Sequence, residues 1–296
     1  MAKPDLHNSW LQIKQSVTMP SLWVAMLLII ANWGIEARKW QWLLSPLERM
    51  PFAIAFKSIL VGCSITMLTP NRVGEYGGRI LYVSPHNRLA AIPLTILGSM
   101  SQLFITAIMG TAGLLYFKII NQPIQFFSFL PNYTANIFLL ISSSLAIILL
   151  LLYLRICNLV KYLQQINFLK TFVVHLLTLN TFSRKELLRI LFLSFFRYLV
   201  FILQFILLLY TMQVHIPIVP CFALLTLFYL VMALAPTIGF MELPIRAAAS
   251  LQLLQAYSNN VVGIQVAALG IWLINLVIPA IVGSLLLLSI KILKDK

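Results

Sequence analysis

Two strongly apolar runs, about 52–69 and 89–117, are separated by Thr69-Pro70-Asn71-Arg72-Val73-Gly74-Glu75-Tyr76-Gly77-Gly78-Arg79, which holds one carboxylate and two guanidiniums. Inside a bilayer each such charge costs roughly 2.5–3.5 kcal/mol on insertion scales, so a chain that keeps them there has few ways to fold. A second stretch has the same build: Ala235-Pro236-Thr237-Ile238-Gly239-Phe240-Met241-Glu242-Leu243-Pro244-Ile245-Arg246. In each, a proline is followed by a glycine, then a glutamate, then an arginine four residues after the glutamate. These two stretches read as the halves of one site.

Only 9% of the 296 residues are charged and 61% are hydrophobic. A soluble domain carries about 25% charged residues, so the expected class is an all-α polytopic membrane protein. The net charge of +14 does not indicate nucleic acid. Its lysines and arginines fall between apolar runs, where the positive-inside bias puts them, and no nucleic-acid motif accompanies them. An anionic lipid surface is the partner such charge favours. Cys63, Cys157 and Cys221 lie far apart without a C-x-x-C, and the four histidines are scattered. Neither set has metal-ligand spacing, and neither a metal nor a cofactor is expected. The first strongly apolar run starts near residue 20 after a mixed polar segment, unlike a cleavable signal peptide.

Residues 1–17 form an N-terminal segment, either interfacial or simply solvated. A first span, about 18–44, ends in Glu36-Ala37-Arg38-Lys39-Trp40-Gln41-Trp42, a basic and aromatic collar of the kind found at an interface. Arg38, Lys39 and Arg49 read as ordinary cytoplasmic charges. The run 52–69 is short and rich in small residues. A helix from Gly74 to about Val83 is broken at Ser84-Pro85-His86-Asn87. A long helix over about 89–117 carries Gln102, with Gly98, Gly110 and Gly113 permitting close helix approach. A span over about 134–153 leads into a basic cytoplasmic loop. Ser183-x-x-Glu186 is a capping box opening a helix to about Tyr210. Arg197 and Gln204, seven apart on it, share a face that either points into the bundle or lets Arg197 snorkel. The short run 221–234 then meets the second stretch. A helix follows to about Tyr257, Ser258-Asn259-Asn260 breaks it, and a long final helix over about 261–290 holds Asn275 and Pro279.

Charge placement sets the topology. Lys57 belongs inside and the loop at Lys118 outside, so an odd number of crossings separates them, yet two apolar runs are available. Making the first run re-entrant solves this, and the second half gives the mirror result. The expected fold therefore has about six spanning helices plus two re-entrant broken-helix hairpins, in an inverted-topology repeat of the kind transporters use. The N-terminus falls outside. One transmembrane domain, 18–296, comprises halves of about 18–117 and 186–291, linked by the span and basic loop of 134–185.

Arg72, Glu75, Arg79, Glu242 and Arg246 are the candidate headgroup-binding residues, with Asn71, Gly74, Gly239, Arg88, Gln102 and Asn275 around them. Arginine forks suit phosphate, and glycines at half-helix starts leave N–H groups that favour anions. Glu75 and Glu242 either bind a cationic headgroup, take up a coupling proton or hold the arginines in place. The competing interpretation is structural: Glu75–Arg79 and Glu242–Arg246 are i,i+4 pairs that neutralise themselves. Arg88 either lines the route or sits at headgroup level. Pro244 fits best in the first turn of a helix starting near Glu242 or Leu243.

The chain resembles the transmembrane region of the lysylphosphatidylglycerol synthase family, also described as flippase-like domains. The resemblance rests on Asn32-Trp33…Glu36-Ala37-Arg38-Lys39-Trp40, on Thr69 to Arg79, on Gly98-Ser-Met-Ser-Gln102 and on Pro236…Gly239…Glu242, and covers roughly 22–290. Relatives often show a second glycine where this chain has Thr237-Ile238-Gly239-Phe240. The resemblance implies a multi-pass bacterial inner-membrane protein that moves a lipid between leaflets: a phospholipid, aminoacylated lipid, glycolipid or isoprenoid phosphate. The chain ends soon after its last helix, so no aminoacyl-transferase domain and no lysyl transfer are expected. The alternatives are a membrane-embedded glycosyl- or phospho-transferase acting on a lipid carrier, and a non-catalytic accessory subunit with a membrane partner protein. Homo-oligomerisation is open. No Asp-x-Asp, His–Asp pair or HExxH is present to support the enzyme.

Overall fold

The computed structural model describes residues 13–69, 73–122, 134–156, 158, 160, 162, 175–235 and 242–294. Among these residues every regular element is helical: α1 (Pro20–Leu44), α2 (Phe52–Thr66), α3 (Gly74–Ile80), α4 (Arg88–Ile119), α5 (Thr134–Leu154), α6 (Arg184–Thr211), α7 (Ile218–Leu234), α8 (Glu242–Leu254), α9 (Val261–Trp272) and α10 (Ile278–Lys294). Five stretches are long and apolar enough to cross a membrane: α1, α4 with the 3-10 turn before it, α5, α6, and α9 continued into α10. The sequence expectation was about six. Two further apolar helices are shorter, α2 and α7, with 15 and 17 residues. At 1.5 Å per residue they reach about 22 and 26 Å, below the roughly 30 Å of a hydrocarbon core.

The punctuation read from the sequence forms as expected. Ser183 and Glu186 make a reciprocal capping box at the start of α6. Asn260 caps α9 by accepting from the Gly263 N–H at 2.8 Å, and its amide donates to Met212 O at 2.9 Å. Pro85 opens the 3-10 turn that separates α3 from α4. Pro244 lies in the first turn of α8, where a missing N–H costs little.

The last long helix forms with one irregularity that the sequence reading did not include. It runs over Val261–Leu288, but a π turn over Leu273–Val277 interrupts its α geometry between α9 and α10. Pro279 explains it, because a proline offers no N–H to the carbonyl four residues back and crowds that carbonyl. Four residues back is Asn275. The loosened turn carries Asn275 into the bundle.

Close helix approach organises the packing. In the first hairpin Gly78 of α3 lies against Gly62 of α2, and Gly74 against Ile65, so the two legs run antiparallel. A methyl on either motif glycine would collide with backbone, whereas Gly77 faces open space. Gly283 of α10 is pressed against the Leu60 carbonyl of α2, and Gly110 and Gly113 of α4 are pressed against Leu230, Thr226 and Ala223 of α7. Each short helix therefore packs on a long helix from the other half of the chain. Small residues let backbones meet in this way where lipid supplies no hydrophobic drive between helices. Helices α1 and α6 also run antiparallel: Ser21 bonds Thr211 at one end, and Asn32 bonds Arg197 further along.

Candidate functional site

The polar residues of α1 recur at 32, 36 and 39, which is one helical face. That face points into the bundle. Glu36 is 2% exposed and meets three cations: Lys39 Nζ at 2.8 Å, Arg79 Nη2 at 2.7 Å and Arg197 Nη1 at 2.9 Å. This corrects the sequence reading of the collar. Lys39 is fully buried, and only Arg38 of that pair is exposed, where it donates to Gln41 Oε1. Lys39 Nζ also reaches Gly98 O and Ser194 Oγ, both at 3.4 Å. Arg197 does not snorkel. Its guanidinium lies 4.9 Å from the Trp33 ring centre and 5.3 Å from that of Phe201.

A polar string continues from this centre across three helices. Arg197 Nε donates to Asn32 Oδ1 at 2.9 Å, and Asn32 Nδ2 donates to Asn275 Oδ1. Asn275 Nδ2 donates to Gln204 Oε1 at 3.0 Å, and Gln204 Nε2 donates to Ala25 O at 3.0 Å. All four side chains are buried. The network satisfies most of its buried polar atoms, as a charge cluster in low dielectric requires.

Both i,i+4 pairs foreseen in the sequence form. Arg79 Nη2 contacts Glu75 Oε1 as well as Glu36, so one guanidinium bridges α3 and α1, with Trp40 5.6 Å away at its ring centre. Arg246 contacts Glu242 on α8 and lies 5.5 Å from the Phe228 ring centre on α7.

These groups surround one cavity of about 490 Å³. Thr66, Glu75 and Tyr76 line it from the tip of the first hairpin, and Ala235, Glu242 and Arg246 from the tip of the second. Glu36, Lys39, Arg197, Gln102 and Asn275 line it from the long helices, with Trp33, Tyr198, Phe201 and Tyr229 among its aromatic walls. Among the described residues four buried cations (Lys39, Arg79, Arg197, Arg246) face three carboxylates (Glu36, Glu75, Glu242), so the cluster keeps one positive charge.

Trp33 Nε1, Tyr198 OH, Arg246 Nε and Gln102 Oε1 are buried atoms without a hydrogen-bond partner. Buried polar groups are rarely left so unless a ligand or water completes them.

Other sequence candidates fall elsewhere. Gly74 opens α3, but its N–H is not free: it donates to Thr69 Oγ1 at 2.7 Å. Arg88 is half-buried, donates to Val83 O at 3.2 Å and does not line the cavity. Asn71, Arg72 and Gly239 lie outside the described residues, as do residues 1–12 of the N-terminal segment.

The family profile for the lysylphosphatidylglycerol synthase TM region matches residues 5–283. The chain belongs to this family. The match takes in both hairpins, the Glu36 cluster and Asn275. No curated protein and no solved structure matches the chain. Family membership and the five long apolar helices establish a multi-pass membrane protein. No group of three or more histidine, cysteine or acidic side chains that could hold a metal is found among the described residues.

Proposed function

We propose that this protein carries a lipid headgroup across a bacterial inner membrane through the cavity shared by the two hairpins. The observation that carries the reading is the meeting of both hairpin tips, each with its Glu–Arg pair, on one charged and aromatic-walled space. A headgroup is polar and its tails are not. A route that solvates the first while leaving the second in the bilayer has to put fixed charge at depth, where it is otherwise costly.

In this reading the chain is one domain, 18–296, built as an inverted repeat of 18–117 and 186–291. The reciprocal packing of α2 on α10 and of α7 on α4, each across glycines, supports that symmetry. So does the antiparallel pairing of α1 with α6. The short helices α2 and α7 are the re-entrant legs of the two hairpins. The first hairpin is the fixed wall, because Arg79 is tied to Glu36 on α1.

The test is leaflet exchange by the purified protein in liposomes, using labelled lipids of differing headgroup. Faster exchange of at least one class, with no chemical change to it, is expected. Absence of exchange across phospholipids, glycolipids and isoprenoid phosphates overturns the reading. Turnover of a lipid-linked donor replaces it with a transferase.

A further inference from the structure

The carboxylates of the cavity are already engaged. Glu36 holds three cations, Glu75 holds Arg79, and Glu242 holds Arg246. Glu36 Oε2 lies in ion pairs with Lys39 and Arg197, and most of the other buried lining atoms without a hydrogen bond are donors. Trp33 Nε1 and Arg246 Nε can only donate, and the Tyr198 hydroxyl is a donor that also accepts. Gln102 Oε1 is the sole unpartnered acceptor among these four.

These atoms come from α1, α4, α6 and α8, and all four residues line the one cavity. Tyr198 stacks edge-on against Tyr229 at 5.9 Å, Tyr229 against Phe228 at 5.4 Å, and Arg246 lies over Phe228. Gln102 Nε2 donates to Ser194 O at 3.5 Å, one helical turn before Tyr198. The cations differ among themselves as well. Lys39, Arg79 and Arg197 all serve Glu36, whereas Arg246 contacts Glu242 alone among the described carboxylates.

We propose that the cavity binds a phosphate-ester oxyanion on Arg246 Nε, Trp33 Nε1 and Tyr198 OH, with Gln102 Oε1 accepting a hydroxyl of the same headgroup. This rests on the transport reading for its setting and names the substrate class: an anionic phosphate ester bearing a free hydroxyl. A cationic headgroup finds no uncommitted carboxylate in the cavity. Donors converging on an anion away from water make short, strong hydrogen bonds, and the residual positive charge of the cluster adds to them.

The chemistry has two sources, a lipid headgroup or a soluble phosphate ester, and the assay separates them. Purified full-length protein in phosphatidylcholine nanodiscs is titrated with phosphatidylglycerol, with phosphatidylethanolamine, with a lysine-esterified phosphatidylglycerol and, separately, with soluble glycerol phosphate. Binding is read by tryptophan fluorescence and by native mass spectrometry. Phosphatidylglycerol is expected to bind at least ~10-fold more tightly than the other two lipids. Trp33→Phe and Tyr198→Phe, which remove one donor each and keep the ring, each weaken it by about 3- to 10-fold. Arg246→Lys, which keeps the charge and removes the Nε–H, weakens it by ~10-fold or more. Arg38→Gln, at an exposed arginine, leaves it unchanged.

Tight binding of glycerol phosphate without its lipid assigns the site to a soluble ester and overturns the lipid headgroup as ligand. Equal or tighter binding of the lysine ester, or wild-type affinity in the Trp33, Tyr198 and Arg246 variants, overturns the proposal. Because the readout is binding, the outcome is distinct from that of the exchange assay. Selective binding without exchange leaves this site standing and removes the transport reading. Exchange of cationic lipids does the reverse.

Discussion

The two hairpins carry the same pair at the same spacing and hold it differently. Arg79 is clamped between Glu75 on its own helix and Glu36 on α1, against Trp40. Arg246 has Glu242 beside it and Phe228 beneath it. The Nε of each guanidinium lacks a hydrogen-bond partner, but only Arg246 lines the cavity. The first arrangement ties a short helix to a long one with a buried ion cluster. The second places its guanidinium on the cavity wall. Identical sequence spacing thus serves anchoring in one half and exposure to the cavity in the other. The residue that makes the difference, Glu36, lies in neither motif.

The largest expected effect comes from removing that residue. Glu36→Gln leaves Lys39, Arg79 and Arg197 without their shared counter-charge, and breaking a buried pair from one side costs about 3–5 kcal/mol. Glu242→Gln removes the carboxylate from one described cation, Arg246, and costs less. Thermal unfolding of the two variants in detergent checks this, and equal losses break the comparison.

A smaller effect separates neighbours within the first motif. Gly78→Ala drives a methyl into Gly62, an overpacking worth about 1–3 kcal/mol. Gly77→Ala meets nothing and gains helix propensity, roughly 0.5–1 kcal/mol. Opposite shifts in melting temperature confirm the tight α2–α3 contact. Equal shifts refute it.

The smallest effect concerns a second anchor of the first hairpin. Glu48, in the loop after α1, accepts from Asn87 Nδ2 at 2.9 Å and from the Ser84 N–H, holding the chain where it leaves α3. Partial burial opposes its ionisation, but these hydrogen bonds outweigh burial and hold the carboxyl below its usual range. With a depressed folded value, its contribution is complete above the ordinary glutamate pKa of about 4.3 and is lost as pH falls through the folded value. Stability measured against pH should therefore drop less on the acid side in Glu48→Gln than in wild type, by under about 1 kcal/mol.

Much of this was legible in the residues. Apolar run lengths set the helix class, Ser183 and Glu186 marked a helix start, and the i,i+4 spacing of Glu75 with Arg79 and Glu242 with Arg246 placed each pair on one face. Glu36 and Lys39 were misread because their neighbours Arg38, Trp40 and Trp42 have the composition of an interfacial collar. The available signal was angular: Asn32, Glu36 and Lys39 fall on one face of α1, and Arg38 falls on another. The π turn had a signal too, in the four-residue step from Asn275 to Pro279. What no spacing could supply was the long-range pairing. That Glu36 answers to Arg79 and Arg197, 43 and 161 residues away, follows only once α1, α3 and α6 are packed.

The measurement that bears most directly on the shared cavity is leaflet exchange by folded Glu75→Gln and Glu242→Gln proteins beside wild type, in liposomes containing a lipid the wild type moves. Loss of exchange in both variants, with thermal stability sufficient for folding, is the expected result. Wild-type exchange in both would contradict a route that passes between the hairpin tips, and would leave the two Glu–Arg pairs as structural ion pairs.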